Sequence, residues 1–300
     1  MQLDLNELTY FQRWQLAARP KTLPAAVAPV LVGAALAYAA GSFRPLAALA
    51  AFLGAVLIQI GTNFVNDVAD FEKGADTPDR LGPTRVTENG LLTARQVWGG
   101  VAVTFGLAAL TGIYLIAVTG WPVAVIGLAS LLGGYIYTAG PWPLAYNGLG
   151  DLGVMIFFGF VAVCGTAYVT AGFLPGSAWL AAVGVGALIT NILVVNNIRD
   201  IESDRKAGRR NIPVVFGRAA GETELVIWFV VAYLVPPVML LIGSISGWGL
   251  LPLLSIPLAV RLVNYVKRTD GFALNKGLAQ MAQLALVYSA LFAVGIALGA

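Results

Sequence analysis

Long apolar runs separated by short polar intervals set the rhythm of this chain. Runs of spanning length fall at about 23–40, 46–66, 96–117, 121–139, 150–171, 177–197, 224–243, 246–266 and 277–298. Each lies within the roughly 17–25 residues that an α-helix needs to cross bilayer hydrocarbon. Every backbone N–H and C=O must find a partner inside the segment there, so helices are the expected form. The pattern predicts an all-α polytopic membrane protein, one domain over residues 1–300, with nine transmembrane helices. The eighth is weakened by Pro252 and Pro257. Composition agrees, with 58% of the 300 residues hydrophobic and only 11% charged.

Charge adds an orientation. Seventeen of the eighteen lysines and arginines fall on one side of the nine-helix arrangement. They lie in the N-terminal segment 1–22 (Arg13, Arg19, Lys21), in the interval after the second helix (Lys73, Arg80, Arg85, Arg95), in the interval after the sixth (Arg199, Arg205, Lys206, Arg209, Arg210, Arg218) and around the join of the eighth and ninth (Arg261, Lys267, Arg268, Lys276). Only Arg44 is left for the other side. Basic loops stay cytoplasmic, so the N-terminus and the two long loops, about 67–95 and 198–223, are expected in the cytoplasm and the C-terminus outside. The first 22 residues show no signal-peptide pattern. A net charge of +3 points to no nucleic-acid partner.

Both long loops open on an acidic stripe. The first begins NFVNDVAD, where Asn63 and Asp67, and Asn66 and Asp70, stand four apart and Asp67 and Asp70 three apart. On a helix that places all four on or near one face. The second, NNIRDIESDRKAGRR, spaces Asn196, Asp200 and Asp204 at i, i+4, i+8, with Arg199, Arg205, Lys206, Arg209 and Arg210 around them. Massed carboxylates ringed by cations suit a Mg²⁺–diphosphate complex: a hard divalent ion takes oxygen ligands and bridges phosphate oxygens, while Arg and Lys take the remaining charge. One such loop alone reads more readily as a solvated positive-inside loop whose charges pair among themselves. Two on one membrane face weigh against that reading.

Other features narrow the chemistry. There is no histidine, which removes histidine metal sites and His base catalysis, and the single Cys164 forms no intrachain disulfide. No phosphate-binding glycine loop, dinucleotide fingerprint or Cys/His metal spacing occurs. Arg80 and Arg85, in DRLGPTR, suit bidentate contact with a phosphate or carboxylate. Arg19 and Lys21 sit at the mouth of the first helix, where plain anchoring explains them as well. Tyr135, Tyr137, Trp142 and Tyr146 cluster after the fourth helix. They suit either an interface belt or the shielding of a carbocation, with Tyr137 the favoured candidate.

At these residues the chain resembles the UbiA-type intramembrane aromatic prenyltransferases. Asn66, Asp67 and Asp70 match the first three positions of ND-x-x-D-x-x-x-D, and Asp200 and Asp204 match D-x-x-x-D. The last aspartate of the first motif would fall at Gly74, a departure. The later Asp76, DRLGPTR, RPKTLP from Arg19, NNIRDIESDRKAG and YTAGPWPLAYNGLGD all resemble the subgroup that prenylates 1,4-dihydroxy-2-naphthoate. The resemblance implies a nine-helix bundle in a bacterial plasma membrane, its central cavity capped by the two Asp-rich loops. It implies Mg²⁺-dependent transfer from a polyprenyl diphosphate to the naphthoate with loss of CO₂. By the same resemblance Mg²⁺ is held at Asp67, Asp70, Asp200 and Asp204, supported by Asn63, Asn66, Asn196 and Asn197. Arg80, Arg85, Arg199 and Lys206 become phosphate contacts, Arg19 or Lys21 attracts the anionic acceptor, and Asp76 or Asp70 stands as candidate base.

Three alternatives have distinguishing features. A transporter would place its charges near the bilayer midplane, whereas these acids lie at one surface. A phospholipid-type phosphotransferase gathers its acids in one motif, not two distant ones. A sister prenyltransferase for 4-hydroxybenzoate or a chlorin would carry an Asp at the Gly74 position.

Overall fold

A computed structural model describes residues 5–74 and 81–300. Asp76, Asp79 and Arg80 lie outside the described residues. Twelve helices follow in order: α1 Tyr10–Ala18, α2 Leu23–Ala39, α3 Pro45–Glu72, α4 Ala94–Thr119, α5 Pro122–Ile136, α6 Gly150–Ala171, α7 Ser177–Arg199, α8 Ile201–Lys206, α9 Ile212–Phe216, α10 Arg218–Leu241, α11 Gly247–Lys267 and α12 Leu274–Leu298. Among the described residues eight helical segments are long and apolar enough to cross a membrane. The expected run 121–139 yields only the 15-residue α5. It stops short because Gly140, at φ +82°, and Pro141 and Pro143 cannot continue a helix. Helix α3 runs on through Glu72, so Asp67 and Asp70 ride on helix as their spacing predicts, and the short helices α8 and α9 occupy much of the expected loop 198–223.

Local sequence sets several helix starts. Thr9 and Gln12 form a reciprocal cap on α1, and Thr93 and Gln96 do so on α4, each satisfying orphan N–H groups at a helix start. Proline opens α3 and α5, where its missing N–H costs nothing. Between α1 and α2 the chain breaks at Arg19, whose φ of 51° is the only positive value among described non-glycine residues. Pro20 keeps the preceding residue out of the right-handed helical region.

The bundle has a tight, buried half and a half whose outer faces are more exposed. Helix α7 is buried along most of its length and packs against α2, α6, α10 and α12 around a core including Leu188, Leu225, Met281 and Phe292. At its crossing with α6, a Cβ on Gly186 would lie 2.9 Å from Gly159 Cα, so backbones meet there as small residues permit. The other half is α3–α5, whose outer faces present Leu46, Leu49, Leu53, Val103, Leu107, Leu110, Val125, Leu128 and Leu132. These spacings of three and four form apolar stripes suited to lipid. Charge is segregated as expected. Arg44 bonds the Val118 carbonyl at one end. At the other, α1 reaches Leu91 through Arg13 and Arg218 reaches Asp270.

Candidate functional site

A polar pocket opens at the charged end, between the C-terminal turns of α3 and α7. Its walls include Asn66 and Asp70 from α3, Arg85 from the first loop, Asn196 and Asn197 from α7, and Asp200, Asp204 and Arg209 from the second. The i, i+4, i+8 stripe survives a break: α7 ends at Arg199 and α8 restarts after Asp200, yet Asn196, Asp200 and Asp204 all face the pocket.

Asp70 is the most heavily engaged carboxylate. One oxygen accepts from Arg85 Nη2 at 2.5 Å. The other accepts from Arg209 Nη2 at 2.8 Å and from the Tyr146 hydroxyl at 2.9 Å. Arg209 also reaches Asp204 at 3.4 Å, and Asn211 donates to the same carboxylate at 2.9 Å. One guanidinium therefore joins acids from both loops. Burial works against the Arg209 charge, but Asp70 and Asp204 outweigh it and hold its pKa above the ordinary value. Burial pushes Asp204 up to about 6, partly opposed by Arg209. Tyr146 is held between Lys73, 4.9 Å from its ring centre, and Arg209, 4.6 Å away. The Arg210 N–H bonds the Tyr146 carbonyl at 3.1 Å, fixing the second loop alongside.

The expected single face of four resolves into two directions. Residues four apart share a face, but neighbours differ by about 100°. Asn66 and Asp70 face the pocket; Asn63 and Asp67 do not line it. Asn63 donates to the Ala18 carbonyl and to Thr22, both at 2.9 Å. Asp67, expected among the metal ligands, is fully buried, and its oxygens accept from Val86 N–H, Thr87 N–H and the Thr87 hydroxyl at 3.0, 3.0 and 2.6 Å. It folds the first loop back onto α3. Asp67→Asn therefore turns an NH₂ toward one of these backbone donors. Thermal unfolding in detergent should show a loss of about 1–3 kcal/mol, the cost of one buried unsatisfied group.

The remaining candidates divide similarly. Arg19 lines the pocket. Lys21 and Lys206 are exposed and are not among its walls. Arg199 is buried behind it, gripping both oxygens of Asp200 at 2.8 and 2.5 Å and Asn196 at 2.5 Å, so it braces a pocket carboxylate. Tyr137 lines the pocket and also a second, apolar cavity of about 190 Å³. That cavity lies between α2, α3, α4, α5 and α6, its walls mostly Gly, Ala and larger apolar side chains, including Ala51, Gly54, Gly127 and Phe157. Arg209, Tyr146, Asn211 and Asp151 were not singled out from sequence as site residues. Arg209 and Tyr146 stand in the sequence as members of a basic run and an aromatic cluster, with nothing local to set either apart from its neighbours.

The pocket's donors fit Mg²⁺. They are hard carboxylate and amide oxygens, and no described trio of acidic groups closes a protein-only cage. That matches an ion usually held by one or two carboxylates and completed by substrate phosphates. Among the described residues the buried Arg209 Nε has no partner, leaving a donor for an anion.

Comparisons with known proteins agree with this architecture. The chain is 36% identical over 298 residues to the 1,4-dihydroxy-2-naphthoate octaprenyltransferase of Escherichia coli (strain K12), covering 97% of each chain. It is 36% identical over 265 residues to that of Mycobacterium tuberculosis (strain ATCC 25618 / H37Rv), covering 87% of this chain and 88% of the relative. In fold it is similar to the apo structure of a UbiA homolog from Aeropyrum pernix K1, with TM-score 0.71, 18% identity and coverage of 93% and 98%. A UbiA homolog from Archaeoglobus fulgidus bound to GPP and Mg²⁺ aligns with TM-score 0.66, 16% identity and coverage of 93% and 99%. The profile described as UbiA prenyltransferase family matches residues 26–287, and the chain, a multi-pass membrane protein, belongs to that family.

Proposed function

We propose that this protein transfers a polyprenyl group from a polyprenyl diphosphate to 1,4-dihydroxy-2-naphthoate, with loss of CO₂, giving demethylmenaquinone in its quinol form. The observation that carries the reading is the meeting of two unlike cavities at Tyr137: a carboxylate- and arginine-lined pocket for the diphosphate, and an apolar one for the start of the tail. The relatives named for naphthoate prenylation support the acceptor.

Asp70, Asp200 and Asp204 are the residues that would hold Mg²⁺, with Asn66, Asn196 and Asn197 beside them. When bound, the ion would supply neutralising charge to the departing diphosphate. Arg85 and Arg209, paired with Asp70 in this structure, are placed to exchange carboxylate for phosphate oxygens. The allylic C–O bond breaks with its electron pair leaving on the diphosphate, and the electron-rich ring carbon that bears the carboxylate bonds the allylic carbon. The ring carboxylate then departs as CO₂, returning its pair to the ring. Tyr137, at the junction, offers its face to the developing allylic cation. Arg19 attracts the acceptor's carboxylate from the pocket wall. We read α5 as a ninth crossing and the charged end as cytoplasmic, on the segregation of lysine and arginine.

Membranes carrying the protein, given Mg²⁺, a polyprenyl diphosphate and carboxyl-labelled 1,4-dihydroxy-2-naphthoate, should yield prenylated naphthoquinol and labelled CO₂ in equal amounts. Prenylation of 4-hydroxybenzoate with none of the naphthoate would overturn the acceptor assignment.

A further inference from the structure

One side chain far from both acidic motifs touches the framework of each. Asn275 stands in the first turn of α12, beyond the two loops in sequence. Its Nδ2 donates to the Leu81 carbonyl at 2.8 Å. Its Oδ1 accepts from Arg199 Nη1 at 2.7 Å. Leu81 lies on the returning limb of the first loop, four residues before the Arg85 that grips Asp70. Arg199 is the buried guanidinium that holds both oxygens of Asp200 and the amide oxygen of Asn196. The turn before α12 also approaches the first loop: at Gly271, with φ +58°, an added Cβ would lie 3.8 Å from Leu81 Cδ1.

The chemistry of the tie is directional. Leu81 offers only an acceptor and Arg199 only donors, so the residue between them must donate on one side and accept on the other. A side-chain amide does both, donating through its NH₂ and accepting at its carbonyl oxygen. Helix α12 packs along α2 and α7, so its first turn is anchored to the tight half of the bundle rather than to either loop.

We infer that Asn275 is a positioning residue of the active site, setting the separation of the two acidic limbs by tying the first loop at Leu81 to the arginine that orients Asp200. The inference builds on the proposed diphosphate reading. A diphosphate–metal complex must be met by both limbs at once, so their spacing governs how well they share it. Supporting contacts of this kind typically change metal affinity or activity by 10–100-fold when lost.

The test uses full-length protein in detergent or membranes. For Asn275→Ala the Mg²⁺ concentration giving half-maximal activity should rise about tenfold, with a matching rise in KM for the polyprenyl diphosphate and no change in KM for the naphthoate. Hydrogen exchange, which needs no turnover, should quicken about tenfold at amides of 81–88 and 196–204 while α12 beyond residue 280 keeps its protection. Asn275→Asp separates the two bonds: it still accepts from Arg199, so 196–204 should exchange as in the parent, while 81–88 should exchange faster. Parent-like Mg²⁺ dependence and exchange in Asn275→Ala would overturn the inference. So would equal loosening of all of α12 in both variants, which marks a merely structural role. If the parent protein does not prenylate the naphthoate, the functional reading fails, and the exchange experiment still decides whether Asn275 couples the limbs.

Discussion

Asp70→Asn should lower kcat about 10³-fold or more, the size of effect expected when a group stabilising developing charge is removed. Asp70 is nearly inaccessible and receives Arg85, Arg209 and Tyr146 in one arrangement. Asparagine keeps its volume and removes its charge. The variant loses a proposed metal ligand and leaves two guanidiniums facing each other without their shared carboxylate. Breaking a buried pair costs about 3–5 kcal/mol, so insertion and a monodisperse elution profile must be verified before activity is read. Residual activity above about a tenth of the parent's, in a folded variant, would be too large for a group in this role. Asp67→Asn is the internal contrast: a neighbouring aspartate on the same helix, whose loss should act through loop stability rather than through Mg²⁺ dependence.

The second large effect belongs to Arg209. It is the described side chain that contacts Asp70 from the first motif and Asp204 from the second, with a ring contact to Tyr146 besides. Arg209→Ala should raise KM for the polyprenyl diphosphate about 10²-fold, the loss expected for a charge-assisted contact of about 3 kcal/mol. KM for the naphthoate should stay near the parent value. Arg209→Lys should recover only part of this, because an ammonium is a point charge and cannot span two carboxylates as a planar fork does. Full recovery by lysine would mean that net charge, not the bridge, is what the site needs.

The fold was largely legible beforehand, for a local reason. In lipid each helix must satisfy its own backbone, so the length of an apolar run reports a crossing almost independently of its neighbours. Runs such as 177–197 and 277–298 correspond closely to Ser177–Arg199 and Leu274–Leu298. At α5 the helix is shorter than the apolar run, because its end depends on the turn geometry that follows.

Sequence by itself determined the membrane class, the gathering of charge at one end and the residue types of the site, since hydropathy and i, i+4 spacing are short-range properties of the chain. Only the tertiary structure decided the direction of each acid. Asp67 and Asp70 are equivalent by spacing. Asp67 turns to backbone donors 19 and 20 residues away, and Asp70 to an arginine 139 residues away. A helix's rotation about its axis is chosen by what packs and bonds around it. No local pattern encodes which partners those will be, so Arg209 and Asn275 acquire their places only when the bundle closes.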